Sequence, residues 1–275
     1  MSSVPLPWEI DKPEANAQRV RVILDFQVDH DPSANKSATE QQGIIGRRVT
    51  SHIDNNLLNQ WLSTCEQKHV GRCPHGSNAP SWDSNFSPAF VIDTHSWSIT
   101  EAPPQCRYVA LSYTWGTGPM LKHLRANSDL LRTPQSLRRA ELPRTVRDAI
   151  VVVEGIGERY LWVDALCIVQ DDALMQQSQI AKMDQVYAKS LFTIIAAHGN
   201  GAHAGIPGIG STIREEAQEM LSIPGGTLRT MICNNTETGN TIGKAIWAQR
   251  AWTMQEGLCS GRLLIFTEHQ VYWRC

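Results

Sequence analysis

The chain has 275 residues, with 25 Lys and Arg against 27 Asp and Glu, so its formal net charge is −2. Hydrophobic residues make up 41% and charged residues 19%. A disordered chain needs low hydrophobicity and high net charge, and this one has neither. The near-neutral balance gives no electrostatic reason to expect nucleic acid or an anionic membrane as the main partner. The length fits one large or two small domains with a sizeable core. Nine Trp against five Phe and five Tyr is an unusual ratio, since Trp is ordinarily the rarest of the three.

The first residues, MSSVPLPWEIDKP, carry neither a basic stretch nor an apolar one, so no secretory signal is expected. The longest apolar runs, 149–153 and 191–197, are far short of the roughly 20 residues of a membrane helix. A soluble, cytoplasmic protein is therefore expected, with no membrane span. Its seven Cys (Cys65, Cys73, Cys106, Cys167, Cys233, Cys259, Cys275) are scattered, which suits free and mostly buried thiols.

In chain order, 20–28 (VRVILDFQV) reads as a strand and 30–42 as a polar loop. In 55–66, Leu58, Trp61, Leu62 and Cys65 recur at helical spacing, so a short amphipathic helix is expected. Residues 71–88, rich in Gly, Pro, Ser and Asn, read as irregular. From 101 onward strand and helix signals alternate. Residues 108–113 (YVALSY) read as a strand. Residues 143–153 read as a helix with Pro143 in its first turn and Gly155 and Gly157 as its stop. The apolar run 160–167 (YLWVDALC) reads as a strand covered on both faces. A helix is expected over 176–188 and a strand over 191–197, then a Gly-rich bend over 198–210. A strand is expected over 228–233, a helix over 245–258, and a hairpin from 263–266 and 271–273. This alternation predicts an α/β fold, a mostly parallel sheet with helices on its faces.

Open parallel sheets bind ligands beyond the carboxyl ends of their strands. Ser112, Trp115 and Gly116 follow one predicted strand directly and offer a hydroxyl, a stacking surface and room for close approach. Asp164, late in the 160–167 run, needs partners or a ligand, because an unpaired buried carboxylate is costly. It either caps a neighbouring element or binds substrate. Trp252 and Glu256 are spaced i and i+4 on the 245–258 helix. An indole beside that carboxylate would raise its proton affinity and wall a substrate ring. The plainer reading makes Trp252 core and pairs Glu256 with Arg250 or Arg262.

Five segments occur in order: YVALSYTWG, LWVDALCIVQDD, QIAKMDQVYAKSLFTIIAAHG, AGIPG and WAQRAWTMQE. Together they resemble the heterokaryon incompatibility (HET) domain of filamentous fungi over about 108–275. Ala173-Leu174-Met175 departs from the acidic or Trp residue usual after the second block. Residues 1–100 resemble the variable leader of that family, which leaves 101–275 as the domain, with core motifs over 108–257. A degenerate fragment is a third reading left open, since members of the family commonly continue with long variable regions.

The resemblance implies a cell-death effector in fungal non-self recognition. A more distant resemblance to Toll/interleukin-1 receptor (TIR) domains implies a TIR/flavodoxin-like sheet, with a C-terminal β-hairpin and an irregular leader here. In that comparison Trp252-x-x-x-Glu256 matches the pattern whose Glu is catalytic in NAD-cleaving members. NAD is then a substrate and not a cofactor, cleaved at the bond between nicotinamide and ribose. Glu256 is the expected catalytic residue. Ser112, Tyr113, Trp115, Gly116, Asp164, Arg250 and Trp252 are the expected substrate-binding set. The alternative is a non-enzymatic TIR-like module that self-associates or recruits an incompatibility partner.

Three further signals are read as structural. Cys65-x3-His69-x3-Cys73-x-His75 has zinc-like residue types but not the separated pairs of zinc modules, so no metal is expected there. The Gly-rich bend lacks a phosphate-loop signature and reads as a flexible loop near the pocket. Cys167 with His198 has no spacing that supports a nucleophile and base.

Overall fold

The structure, a computed structural model, describes residues 27–28, 48–69, 86–214, 218, 220–223, 226–229 and 242–275. Its strands are β1 (Gln27–Val28), β2 (Phe90–Asp93), β3 (Ser98–Glu101), β4 (Tyr108–Ser112), β5 (Tyr160–Trp162), β6 (Thr193–Ala196), β7 (Met220–Ile223), β8 (Gly226–Arg229), β9 (Leu263–Phe266) and β10 (Val271–Arg274). Its helices include α1 (Asn55–Lys68), α2 (Ser128–Arg132), α3 (Ser136–Arg139), α4 (Arg144–Gly155), α5 (Asp164–Cys167), α6 (Ala173–Ile180), α7 (Met183–Lys189) and α8 (Thr253–Cys259).

The chain divides into two units. One comprises Met1–Gly46 and Met220–Met231 and holds an antiparallel sheet in the order β1-β8-β7. The other comprises Arg47–Glu219 and Ile232–Cys275 and holds a seven-stranded sheet in the order β10-β9-β6-β4-β5-β2-β3. Its four central strands, β5, β4, β6 and β9, are parallel to their neighbours in that group. Antiparallel hairpins extend both edges, β2 with β3 on one side and β10 with β9 on the other. The parallel strands run second, first, third, fourth in space, the flavodoxin-like order, so the chain reverses direction across the sheet between β4 and β6.

Every residue of β4, β6 and β9 is buried. Successive strand residues point to opposite faces, so both faces of the central sheet are covered. Val109, Leu111, Ile150, Val153, Leu161, Trp162, Ile194 and Phe266 share one core. Full burial of each such side chain contributes about 1.5–3 kcal/mol. In α1 the Asp54 carboxylate accepts from Asn56 N at 2.9 Å, and Leu58, Leu62 and Cys65 face inward as the spacing predicts. Pro143 is the N-cap of α4, one position before the expected first turn, and Gly157 takes φ 79° just beyond the helix end. The expected C-terminal hairpin is present as β9 and β10.

Several expectations need correction. The 160–167 run is strand only to Trp162. From Asp164 it becomes one helical turn, with Cys167 N bonded to Val163 O at 2.7 Å. A short apolar run surrounded by core does not distinguish strand from helix. The 176–188 helix is two helices that part at Ala181 and Lys182. No residue of α6 is buried, whereas Met183, Val186 and Tyr187 of α7 are, so the two halves follow different surfaces. The 245–258 helix is a 3-10 turn (Ile246–Gln249), an extended Arg250 (φ −82°, ψ 142°), and then α8. The 20–28 and 228–233 strands are described only at Gln27–Val28 and up to Arg229. The remaining residues of both, the 30–42 loop and most of 71–88 lie outside the described residues.

Candidate functional site

The turn after β4 meets the loop after β6 at the sheet's switch point. Gly116 has φ 73°, and a Cβ there would lie 2.9 Å from Gly201 Cα, so any side chain is excluded on both counts. Ala202 N donates to Trp115 O at 3.1 Å and fastens the two loops together. That contact sets the position of Trp115, whose Nε1 donates to Asp164 Oδ2 at 2.9 Å. Asp164 is the first residue of α5, and its other oxygen accepts from Ala165 N at 2.7 Å. It thus serves its own helical turn and, through Trp115, the neighbouring loop.

Glu256 comes from α8 and is only 2% exposed. The Ser112 hydroxyl, at the last residue of β4, donates to Oε2. Trp247 Nε1 in turn donates to Ser112 Oγ at 2.6 Å. Arg250 Nη2 donates to Oε1 at 3.2 Å, and its Nη1 donates to the Tyr113 carbonyl. No Pro or Gly explains the break in the predicted helix at Arg250. The extended backbone there carries the guanidinium that joins Tyr113 to Glu256.

Burial pushes the Glu256 carboxyl above its ordinary pKa, against the opposing pull of Arg250 and the Ser112 bond. Burial likewise raises Asp164 to about 6, against its bonds from Ala165 N and Trp115. The nearby Glu256 charge raises Asp164 further. Both acids therefore hold their protons more tightly than free carboxyls.

Both acids border a cleft of about 320 Å³, together with Trp115, Gln170, Arg250 and Trp252. That volume suits a small organic ligand. Trp252 is 50% exposed, so the reading that made it core is corrected. The pairing of Glu256 is with Arg250, whereas Arg262 contacts Cys65. Lys122 Nζ lies 5.0 Å from the centre of the Trp115 ring, a cation held over an indole face.

Six expected residues (Ser112, Trp115, Asp164, Arg250, Trp252 and Glu256) thus line this cleft or bond directly to its acids. Tyr113 reaches it through its carbonyl and through its buried hydroxyl, which lies beside Asp164 and 3.5 Å from Met120 Sδ. Gly116 borders an adjoining depression with Gly201, and Trp115 edges both. Trp247 and Gln170 were not expected. Trp247 is the first residue of the WAQRAWTMQE block, the one signal that marks it. Cys167 is fully buried beneath the site, and burial pushes its thiol up to about 12, which suits a packed core residue.

The class is thus a mostly parallel α/β sheet of flavodoxin-like strand order with an acid- and indole-lined cleft at its switch point. The particular family follows from sequence. The family profile described as Heterokaryon incompatibility protein (HET) matches residues 108–256, more than half of the chain. The chain belongs to this family. The match runs from the first residue of β4 to Glu256 and contains every expected site residue. Membership supports a role of the heterokaryon-incompatibility type. Comparison with curated proteins and with solved structures gave no match. Among the described residues no helix is long and apolar enough to cross a membrane.

Proposed function

We propose that the chain is a cytoplasmic cell-death effector of fungal non-self recognition, and that its cleft hydrolyses NAD between nicotinamide and ribose. The observation that carries this reading is the convergence of Glu256, Ser112, Trp115, Asp164 and Arg250 on one cleft. The C–N glycosidic bond breaks with its electron pair leaving on the nicotinamide nitrogen, through an oxocarbenium-like state. Glu256 faces the developing positive charge and orients the attacking water. The water oxygen bonds to the ribose carbon, and its proton passes to the carboxylate, whose proton affinity burial has raised. Trp115 and Trp252 wall the nicotinamide ring, and Asp164 accepts from a ribose hydroxyl. Glu256→Gln keeps the size, removes the charge and leaves one oxygen to accept from either Ser112 or Arg250. NAD consumption by the purified variant should fall at least about 100-fold with the fold intact. If NAD loss persists in that variant, Glu256 is not catalytic.

A specific observation favours a second reading, a non-enzymatic module that self-associates. Both Glu256 oxygens already have partners within the chain, Ser112 and Arg250. Wild-type protein that forms oligomers yet leaves NAD intact would decide for this reading.

A further inference from the structure

We propose that Cys65, His69 and Cys275 form a binding site for a divalent metal ion of the zinc type, separate from the cleft. One donor atom from each of the three lies within 4.8 Å of the others. His69 Nδ1 is 3.3 Å from Cys275 Sγ. Around a tetrahedral zinc, with bonds of about 2.3 Å to sulfur and 2.0–2.1 Å to nitrogen, neighbouring donors sit roughly 3.5–3.8 Å apart. Shifts on the order of 1 Å or less therefore bring the three into register.

Two independent elements supply the donors. Cys65 and His69 are spaced i and i+4 at the end of α1, on one face. The His69 N–H bonds to Cys65 O at 3.2 Å, so the backbone already holds this pair. Cys275 follows β10 and is 206 residues from His69. All three border a depression of about 370 Å³, together with Trp61 and Trp273. Cys65 is buried and Cys275 exposed, so the site opens to solvent on one side, where a water completes four-coordination.

The surroundings suit metal-bound sulfur. Arg262 Nε donates to Cys65 Sγ at 3.0 Å, the N–H···S contact that steadies a coordinated thiolate. Arg262 is 3% exposed and is held by the Leu191 carbonyl at 3.1 Å. Among the described residues no carboxylate lies within ion-pair distance of it. A zinc-bound Cys65 gives this buried cation an anionic neighbour. Two sulfurs and an imidazole select zinc or cobalt over the oxygen-loving magnesium and calcium. Binding releases the two thiol protons to solvent and involves no change of oxidation state. The bound ion ties the end of α1 to the end of β10.

The test is titration of the full, reduced, metal-free chain with Co²⁺, followed by Zn²⁺ competition. The expected result is one equivalent of Co²⁺ with a thiolate-to-cobalt charge-transfer band and intense tetrahedral visible bands, both lost on adding Zn²⁺. Cys275→Ser alters an exposed residue, so the fold is retained, as circular dichroism will check. Its charge-transfer band should weaken by about half and its Co²⁺ affinity fall at least about tenfold. His69→Ala should lower affinity similarly and change the visible bands. Absence of the charge-transfer band in the wild-type chain overturns the proposal. So do spectra and affinities that stay unchanged in both variants, since any metal would then be held elsewhere.

Discussion

Two Arg–carboxylate pairs in the same unit behave in opposite ways. At the end of β2, Arg159 grips both oxygens of Asp93, at 3.0 and 2.8 Å, and His95 N adds a third bond at 3.1 Å. Burial pushes Asp93 up, but those bonds and the adjacent charge outweigh it and hold the carboxyl below its ordinary pKa. In the cleft, Arg250 reaches one oxygen of Glu256 at 3.2 Å and spends its other arm on Tyr113. There burial wins, and Glu256 stays above its ordinary value. The residue types match; the depth and the number of donors differ. Asp93 is clamped as an anion beside a guanidinium that is 51% exposed. Glu256, bordering a cleft, holds its proton more tightly than a free carboxyl does.

Removing the cation tests each pair directly. Arg250→Ala should have the largest effect, because it leaves a buried carboxylate without its cation. A loss of about 3 kcal/mol is expected at pH 8. The folded pKa of Glu256 lies above its unfolded value and rises further in this variant. Wild type and variant lose stability alike until pH reaches the wild-type folded value, and the extra loss of the variant grows as pH rises above that value. Urea denaturation should therefore show a smaller loss at pH 5 than at pH 8. Equal losses at both would mean that Glu256 is as firmly clamped as Asp93.

Asp164→Asn should come next, with the opposite sign. The folded pKa of Asp164 is raised from 3.8 to about 6. Its ionisation costs stability progressively across that window, and the cost is complete above it. Relative to pH about 4, where the acid is protonated in both states, the variant should gain roughly 1–3 kcal/mol at pH 7.5, on top of a pH-independent loss for the one N–H, of Ala165 or Trp115, that the amide nitrogen cannot accept. Thermal midpoints at the two pH values measure this. A gain independent of pH would place the effect in packing instead. Arg159→Ala should be the smallest, at most about 1 kcal/mol at neutral pH, since its arginine is solvated. Asp93 has a depressed folded pKa, so its contribution is present at neutral pH and lost as pH falls through that value. The difference between variant and wild type should accordingly vanish in acid.

The sheet was legible because its central strands are apolar, short and separated by helical spacing. The Trp252–Glu256 pair was legible because four residues bring the ends of one turn together, and Glu256 N does bond to Trp252 O at 3.0 Å. Other features depend on partners far away in sequence. The bend at Arg250 has no local cause, only its bonds to Tyr113 and Glu256. Trp247 acts through Ser112, 135 residues away, which no local pattern announces. The end of β5 was misplaced because Val163, Ala165, Leu166 and Cys167 are as fully buried in a helical turn as they would be in a strand. The Cys65-to-His75 spacing did not announce Cys275. Cys73 and His75 lie outside the described residues, while Cys275, absent from that pattern, comes to His69.

The bond between Ser112 and Glu256 spans 144 residues. During synthesis, β4 and its serine leave the ribosome long before α8 exists. Until translation passes residue 256, the cleft lacks one wall and its deepest acid, and chains released earlier carry half a site. Contacts of such long range also form late and slowly in folding. The cleft is therefore incomplete in nascent and incompletely folded chains, a delay written into the order of the elements that build it.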